Sequence, residues 1–141
     1  MGSRKKRAFE RVYALFDRDN HASYHQALEL AKKLNKTLIN DEGEKVQFRS
    51  IVSIPSFELW FLLHFKLVHG SLSHKDALRQ LKEHMPNYEK GNRGCFEQTR
   101  SHLSIALANS KKLIESADPY DGNMPYTDIG SLVEYLSKIK D

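Results

Sequence analysis

The pattern of apolar and polar positions predicts a strand, a helix and a second strand in the first third of the chain. β-Branched and aromatic residues over 11–16 run into a polar loop, which indicates a strand. Apolar residues then recur at steps of three and four over 23–35, as in an amphipathic helix. Residues 45–53 begin by alternating polar and apolar, as in a half-buried strand, and 38–39 could form a short partner strand. This order predicts a βαβ unit with a right-handed crossover.

The remainder of the chain has mainly helical patterns. Pro55 ends the second strand, and Ser56 is the expected N-cap of an almost wholly apolar helix over 57–68, which we expect to be the most buried element. Two further helices are predicted over 77–85, opened by a capping box at Ser73, and over 94–115. A last helix should open at Thr127 and bury Ile129, Leu132, Val133, Leu136 and Ile139. The predicted class is α/β, with a small, mostly parallel sheet and a helical C-terminal half, and two or three strands make that sheet thin.

Composition narrows the class of protein. With 141 residues, of which 40% are hydrophobic and 28% charged, the chain suits one globular domain over 1–141. The single Cys95 cannot form an internal disulfide and no Cys/His spacing suggests zinc, so we expect a cytoplasmic protein with an inert, buried thiol. The longest apolar run, 57–68, falls short of the ~20 residues of a spanning helix. A net charge of +4 suits a polyanionic partner but also many proteins without one.

Two acids follow the first strand, and they have two interpretations. On an extended segment Asp17 and Asp19 point to the same side, beyond the carboxyl end of the strand, where open α/β sheets bind their ligands. Such hard oxygen ligands suit Mg²⁺ or Mn²⁺. The other interpretation is a solvated acidic turn that caps the following helix, and the motif alone leaves both open.

Glu58 is a carboxylate in the first turn of the most apolar predicted helix. The positive helix N-terminus could stabilise it there, or it could face the same crevice and bind metal or position an attacking water. His64 lies six residues further on, about 240° around the helix. It is therefore expected to be a core histidine rather than a partner of Glu58.

Basic and aromatic residues outside these segments are candidates for nucleic-acid contacts. Phosphates could be contacted by Lys90, Arg93, Arg100 and the basic run 4–7, although scattered solvated charges are the simpler interpretation. Tyr88 and Tyr126 lie in polar loops and could stack a base, or could pack on their own domain.

Four segments, VYALFDRDNH, SIPSFELWFLLHF, NYEKG and NMPYTDIGSLVEYL, resemble in the same order the signature segments of the RloB-like (AbiLii-type) family. The resemblance implies a Toprim-related, Rossmann-like domain and a Mg²⁺- or Mn²⁺-dependent nuclease that hydrolyses RNA or DNA in prokaryotic phage defence. It also implies an ABC/OLD-type ATPase encoded nearby as a partner. Asp17 and Asp19 match the metal-binding Asp-x-Asp of the family. Glu58 matches its Phe-Glu-Leu-Trp glutamate and becomes the third candidate catalytic residue.

The chain departs from the family pattern at two places. Ile54-Pro55-Ser56 stands where Asn-Pro-Cys is usual, and the glutamate segment that precedes the Asp-x-Asp in a Toprim site has no counterpart, since eleven residues precede Val12. We therefore expect the N-terminal strand and helix of the family domain to be missing, in a truncated gene product, an excised fragment or a degenerate relative whose lost strands another chain could replace. A homo-oligomer is a further expected partner. The alternative function is a non-catalytic module that binds nucleic acid or the ATPase. A phosphotransfer site built on the Asp-x-Asp is the third reading.

Overall fold

The computed structural model describes residues 10–18, 23–91, 93–118 and 124–139. These residues divide into two compact units. The first contains 10–15 and 23–51, and the second contains 16–18, 52–91, 93–118 and 124–139. The first strand, β1 (Arg11–Asp17), and the second, β2 (Gln47–Ile54), each begin in the first unit and end in the second.

The first unit holds helix α1 (Tyr24–Leu34) together with the starts of β1 and β2. The helix buries Tyr24, Leu28 and Ala31, which lie at the spacing of one helical face. The turn before β2 is held by the Asn40 side chain, whose Oδ1 accepts from the backbone N–H groups of Glu42 (2.9 Å) and Glu44 (3.0 Å). The predicted strand at 38–39 is reduced to one antiparallel bridge between Ile39 and Lys45.

The sheet has the order β1-β2-β3, where β3 is the two-residue strand Tyr126–Thr127. The Gln47 N–H donates to the Glu10 carbonyl (3.0 Å) and the Arg18 N–H to the Ser53 carbonyl (3.1 Å), so β1 and β2 run in the same direction. Strand β3 is antiparallel to β2, with Ser53 opposite Thr127. The described residues therefore form a mixed α/β fold with a small three-stranded sheet, and a Rossmann-like arrangement stays a prediction.

Strand β3 corrects the prediction that Thr127 opens the last helix. The Thr127 hydroxyl lies 2.8 Å from the Ser53 hydroxyl, and the Asp128 carboxylate accepts from the Val52 N–H at 2.7 Å. These buried bonds fix 126–128 against β2, so the last helix, α6 (Ile129–Ser137), begins two residues later than predicted. On α6 the predicted burial holds for Ile129, whereas Leu136 (53% exposed) and Ile139 just after it (52%) face solvent.

Helix α2 (Glu58–Leu62) is much shorter than the predicted span 57–68. Side chains take one of its carbonyls and that of the residue after it: His64 Nδ1 donates to the Trp60 carbonyl (2.9 Å) and Asn109 Nδ2 to the Leu63 carbonyl (2.9 Å). The backbone then tightens into turns with i→i+3 bonds. Leu59, Leu62 and Leu63 have no exposed surface, which confirms the expected depth of this segment. The Ser56 hydroxyl does not cap the helix; it is buried without a hydrogen-bond partner among the described residues.

The other helices follow the sequence pattern with one interruption. Helix α3 (His74–His84) is capped as predicted by Ser73 Oγ, which accepts from the Asp76 N–H (3.1 Å). The span predicted as one helix over 94–115 is divided into α4 (Cys95–Thr99), a 3₁₀ turn (Arg100–His102) and α5 (Leu103–Ser116). Thr99 Oγ1 donates back to the Cys95 carbonyl (2.9 Å), a bond that commonly bends helices. In the part of the chain that the structure describes, no helix is long and apolar enough to cross a membrane.

Candidate functional site

The candidate site lies in the second unit, where β1 and β2 end and α2 begins. Asp17 is the last residue of β1 and is half-buried. Glu58 is the first residue of α2, four positions after the end of β2, and is only 2% exposed. Asp17 thus ends one strand and Glu58 follows the end of the next, and these two strands run in the same direction. Asp19 lies outside the described residues.

The Glu58 carboxyl group is held by one hydrogen bond. Its Oε1 accepts from the Tyr88 hydroxyl at 3.3 Å, whereas Oε2 is buried and has no hydrogen-bond partner in the described residues. Burial of a carboxyl oxygen without a partner costs free energy, because the water it loses is not replaced. The Glu58 carboxyl group therefore lowers the stability of the fold.

Tyr88 is buried, and its hydroxyl is affected by the charges of both Glu58 and Asp17. Burial raises the pKa of its hydroxyl most, followed by the negative charge of Glu58 and the hydrogen bond to it, with smaller contributions from Cys95 and Asp17. The phenol therefore stays protonated and donates to Glu58 at any physiological pH. Both carboxylates act on the same hydroxyl, so Asp17 and Glu58 belong to one electrostatic environment.

A cavity of about 290 Å³ opens beside Glu58. Its walls include the rings of Phe57, Phe61 and Tyr88, and its lining also includes Glu58 and the exposed Lys90. A ligand that enters this cavity meets an acidic side chain, Glu58, and a cationic side chain, Lys90. These are the groups that hold a metal-bridged or directly bound phosphate. This Glu58 cavity is the centre of the candidate site.

The structure decides between the two interpretations of the tyrosines that could stack a base. Tyr88 and Tyr126 are 6% and 8% exposed, so their rings pack on their own domain and are not available to stack a base from solvent. Tyr88 is instead the partner of Glu58, a role that sequence analysis missed because 30 positions separate the two residues. The NYEKG segment contains Tyr88, but the segment alone does not predict its hydrogen bond to Glu58.

The three basic candidates are all exposed, and they differ in what surrounds them. Lys90 lines the Glu58 cavity, whereas Arg93 is not among the residues that line it. Arg100 lies 3.9 Å from a carboxylate oxygen of Glu97 and lines a second cavity. His64 and Cys95 are buried, as expected, and His64 packs edge-on against Trp60 rather than against Glu58.

The donor set suits a hard divalent ion. The described ranges contain no group of three or more His, Cys, Asp or Glu side chains placed to share an ion. They do contain the half-buried Asp17 carboxylate and the buried Glu58 Oε2, which lacks a partner there. Carboxylate oxygens are the ligands that Mg²⁺ and Mn²⁺ prefer, and these ions keep several waters. The Asp17 and Glu58 carboxylates are therefore ligands of the kind that such an ion takes, and Glu58 lines the cavity.

A family model described as RloB-like protein matches residues 1–136. The chain belongs to the RloB-like family. The match contains both candidate carboxylates of the described residues as well as Tyr88 and Lys90. No curated protein and no solved structure matches the chain. The family model shows the family of the chain, and the structure shows the contacts of the site.

Proposed function

We propose that this chain is a divalent-metal-dependent nuclease that hydrolyses phosphodiester bonds of RNA or DNA. The observation that carries the proposal is Glu58, whose buried carboxyl group lines a cavity and keeps one oxygen without a hydrogen-bond partner among the described residues. A side chain that costs stability and faces a cavity is a candidate for function. Membership of the RloB-like family supports the same activity through the resemblance of its motifs.

Each residue of the site has a role that follows from its position. Asp17, together with Asp19 of the same motif, would hold the ion, whose chemistry is to polarise a phosphoryl oxygen and stabilise charge on the leaving oxygen. Glu58 Oε2 accepts a proton from the attacking water or orients it. Tyr88 fixes the carboxyl group through Oε1, and Lys90 contacts a phosphate at the mouth of the cavity.

The proposal is tested with end-labelled RNA and DNA in the presence of Mg²⁺ or Mn²⁺. Glu58→Gln keeps the shape of the side chain and removes its basicity, so cleavage should fall by about 10²–10⁴-fold, and Asp17→Asn should weaken the dependence on metal. Glu83→Gln is the matched control, since this glutamate is exposed on α3. Cleavage at the wild-type rate by Glu58→Gln and Asp17→Asn would contradict the assignment.

A non-catalytic nucleic-acid-binding module is the second candidate, supported by the exposed cations Lys90, Arg93 and Arg100. Such a module would bind polynucleotides with a steep dependence on salt and would leave them intact in the presence of either ion. A role in phage defence and an ATPase partner are supported by the family resemblance, and a pull-down with the ATPase encoded beside the gene would test them.

A further inference from the structure

A second cavity, of about 260 Å³, shares the Phe57 and Phe61 side chains with the Glu58 cavity. Both rings line both cavities, and they meet edge to face with centroids 5.1 Å apart. The second cavity is completed mainly by Trp60, His64, Phe96 and Arg100. We call it the aromatic cavity. Its position makes it a neighbour of the candidate catalytic carboxyl group.

The walls of the aromatic cavity suit a flat, unsaturated ring. Trp60 and His64 pack edge to face with centroids 4.9 Å apart, so ring edges and faces are both available. Phe96 lines the cavity and is 64% exposed, and the Arg100 guanidinium lies 6.0 Å from the centre of its ring. A planar ligand can therefore stack on Phe96 beside a cation.

Two polar groups of the cavity are available to a ligand. His64 Nδ1 donates to the Trp60 carbonyl (2.9 Å), which makes Nε2 the unprotonated acceptor of the ring. Burial holds the pKa of His64 below its usual value, which keeps this neutral form at physiological pH. Arg100 faces Glu97 at 3.9 Å, but both side chains are about 70% exposed, and such pairs compete weakly with a phosphate.

We propose that the aromatic cavity binds one unstacked base of single-stranded RNA or DNA, with the adjoining phosphate on Arg100. The part that concerns nucleic acid as substrate rests on the proposed function. A volume of about 260 Å³ is at the small end of ligand sites, which suits a single base rather than a longer segment. An apolar protein side chain would use neither the His64 acceptor nor the Arg100 charge, whereas a nucleotide supplies an N–H donor and an anion.

The proposal implies a preference for single strands. A base inside a duplex is stacked on both faces and paired at its edge, so it cannot enter the cavity without being flipped out. A base in a single strand pays far less for this, and stacking on aromatic side chains is tolerant of sequence. A strand held with one base in the aromatic cavity would bring a neighbouring phosphodiester toward Glu58 and Lys90.

Binding is measured by NMR with nucleoside monophosphates in the absence of divalent metal, so that cleavage plays no part. Trp60 is the single tryptophan, and its indole N–H therefore gives one signal that reports directly on the cavity. The expected results are a shift of that signal on titration and saturation transfer to base protons that exceeds transfer to ribose protons. A Trp60 signal that does not move, together with no transfer to base protons, would overturn the proposal.

Phe96 and Arg100 are both exposed, so substitutions at these positions should leave the fold intact. Phe96→Ala removes the stacking ring and should weaken binding roughly tenfold. Arg100→Gln should abolish the preference for the monophosphate over the nucleoside. Arg79→Gln is its matched control, because Arg79 is 64% exposed on α3 and does not line the cavity. Equal effects of Arg100→Gln and Arg79→Gln, or unchanged binding by Phe96→Ala, would refute a built site.

Failure of this inference can be distinguished from failure of the proposed function. The Asp17→Asn chain should bind single-stranded oligonucleotides as the wild type does and should prefer them to duplexes of the same sequence. Binding that persists in a chain that never cleaves supports the aromatic cavity and rejects the nuclease. Cleavage by Phe96→Ala at the wild-type rate and with the wild-type strand preference supports the nuclease and rejects the aromatic cavity as its substrate site.

Discussion

Replacing Glu58 with glutamine should make the protein more stable while it removes the proposed activity. The side chain is 2% exposed, its Oε1 has one long hydrogen bond of 3.3 Å, and its Oε2 has no partner in the described part of the chain. A buried acceptor left without a partner costs about 1–3 kcal/mol, and more when it is charged. Glutamine keeps the size and the Oε1 contact with Tyr88, and its amide nitrogen takes the place of Oε2, so the gain comes from removal of the buried negative charge alone. We therefore expect the free energy of unfolding to rise by about 1–3 kcal/mol.

The assay is urea unfolding of metal-free protein near neutral pH, followed by circular dichroism. The midpoint should rise with an unchanged m-value, since the surface exposed on unfolding is the same. In a thermal scan the gain corresponds to about 3–10 °C for a chain of this length. Glu83→Gln, at an exposed position, should stay within about 0.5 kcal/mol of the wild type. A loss of more than about 1 kcal/mol in Glu58→Gln would refute the claim that this carboxyl group is held at a cost.

Three other perturbations follow from single contacts. Tyr88→Phe removes the one hydrogen bond that the Glu58 carboxyl group makes within the described residues and should cost about 1 kcal/mol, less in the Glu58→Gln background, as a double-mutant cycle would show. His64 has a lowered pKa because of burial, so the unfolded chain takes up its proton first; stability should fall as the pH drops below about 6.5, and His64→Gln should reduce that slope in urea titrations. Gly130→Ala would press a methyl group against Ser110 Oγ and should cost about 1–3 kcal/mol in thermal unfolding, with Ser110→Ala restoring part of the loss.

The parts of the site that depend on one segment could be predicted from that segment. Asp17 ends a strand whose β-branched and aromatic residues identify it, and Glu58 follows a proline that stops the next strand. Their shared location follows from the general rule that strands running in one direction end at one edge of a sheet. The Tyr88 contact could not be predicted in this way. Its segment has no periodic pattern, and a hydrogen bond over 30 positions depends on how α2 and the loop after α3 pack.

Local chemistry by itself determined β1, α1, the body of β2 and the capped start of α3, because spacing of apolar residues and a capping side chain act within one or two turns. Tertiary contacts decided the rest. Strand β3 has two residues and exists through its pairing with Ser53 and Ile54, and α2 is short because His64 and Asn109 take carbonyls at its C-terminal end. These partners are distant in sequence or compete with the helix for the same acceptor. Only the folded chain determines which hydrogen bond forms, and with it which carboxyl oxygen of Glu58 is left without one.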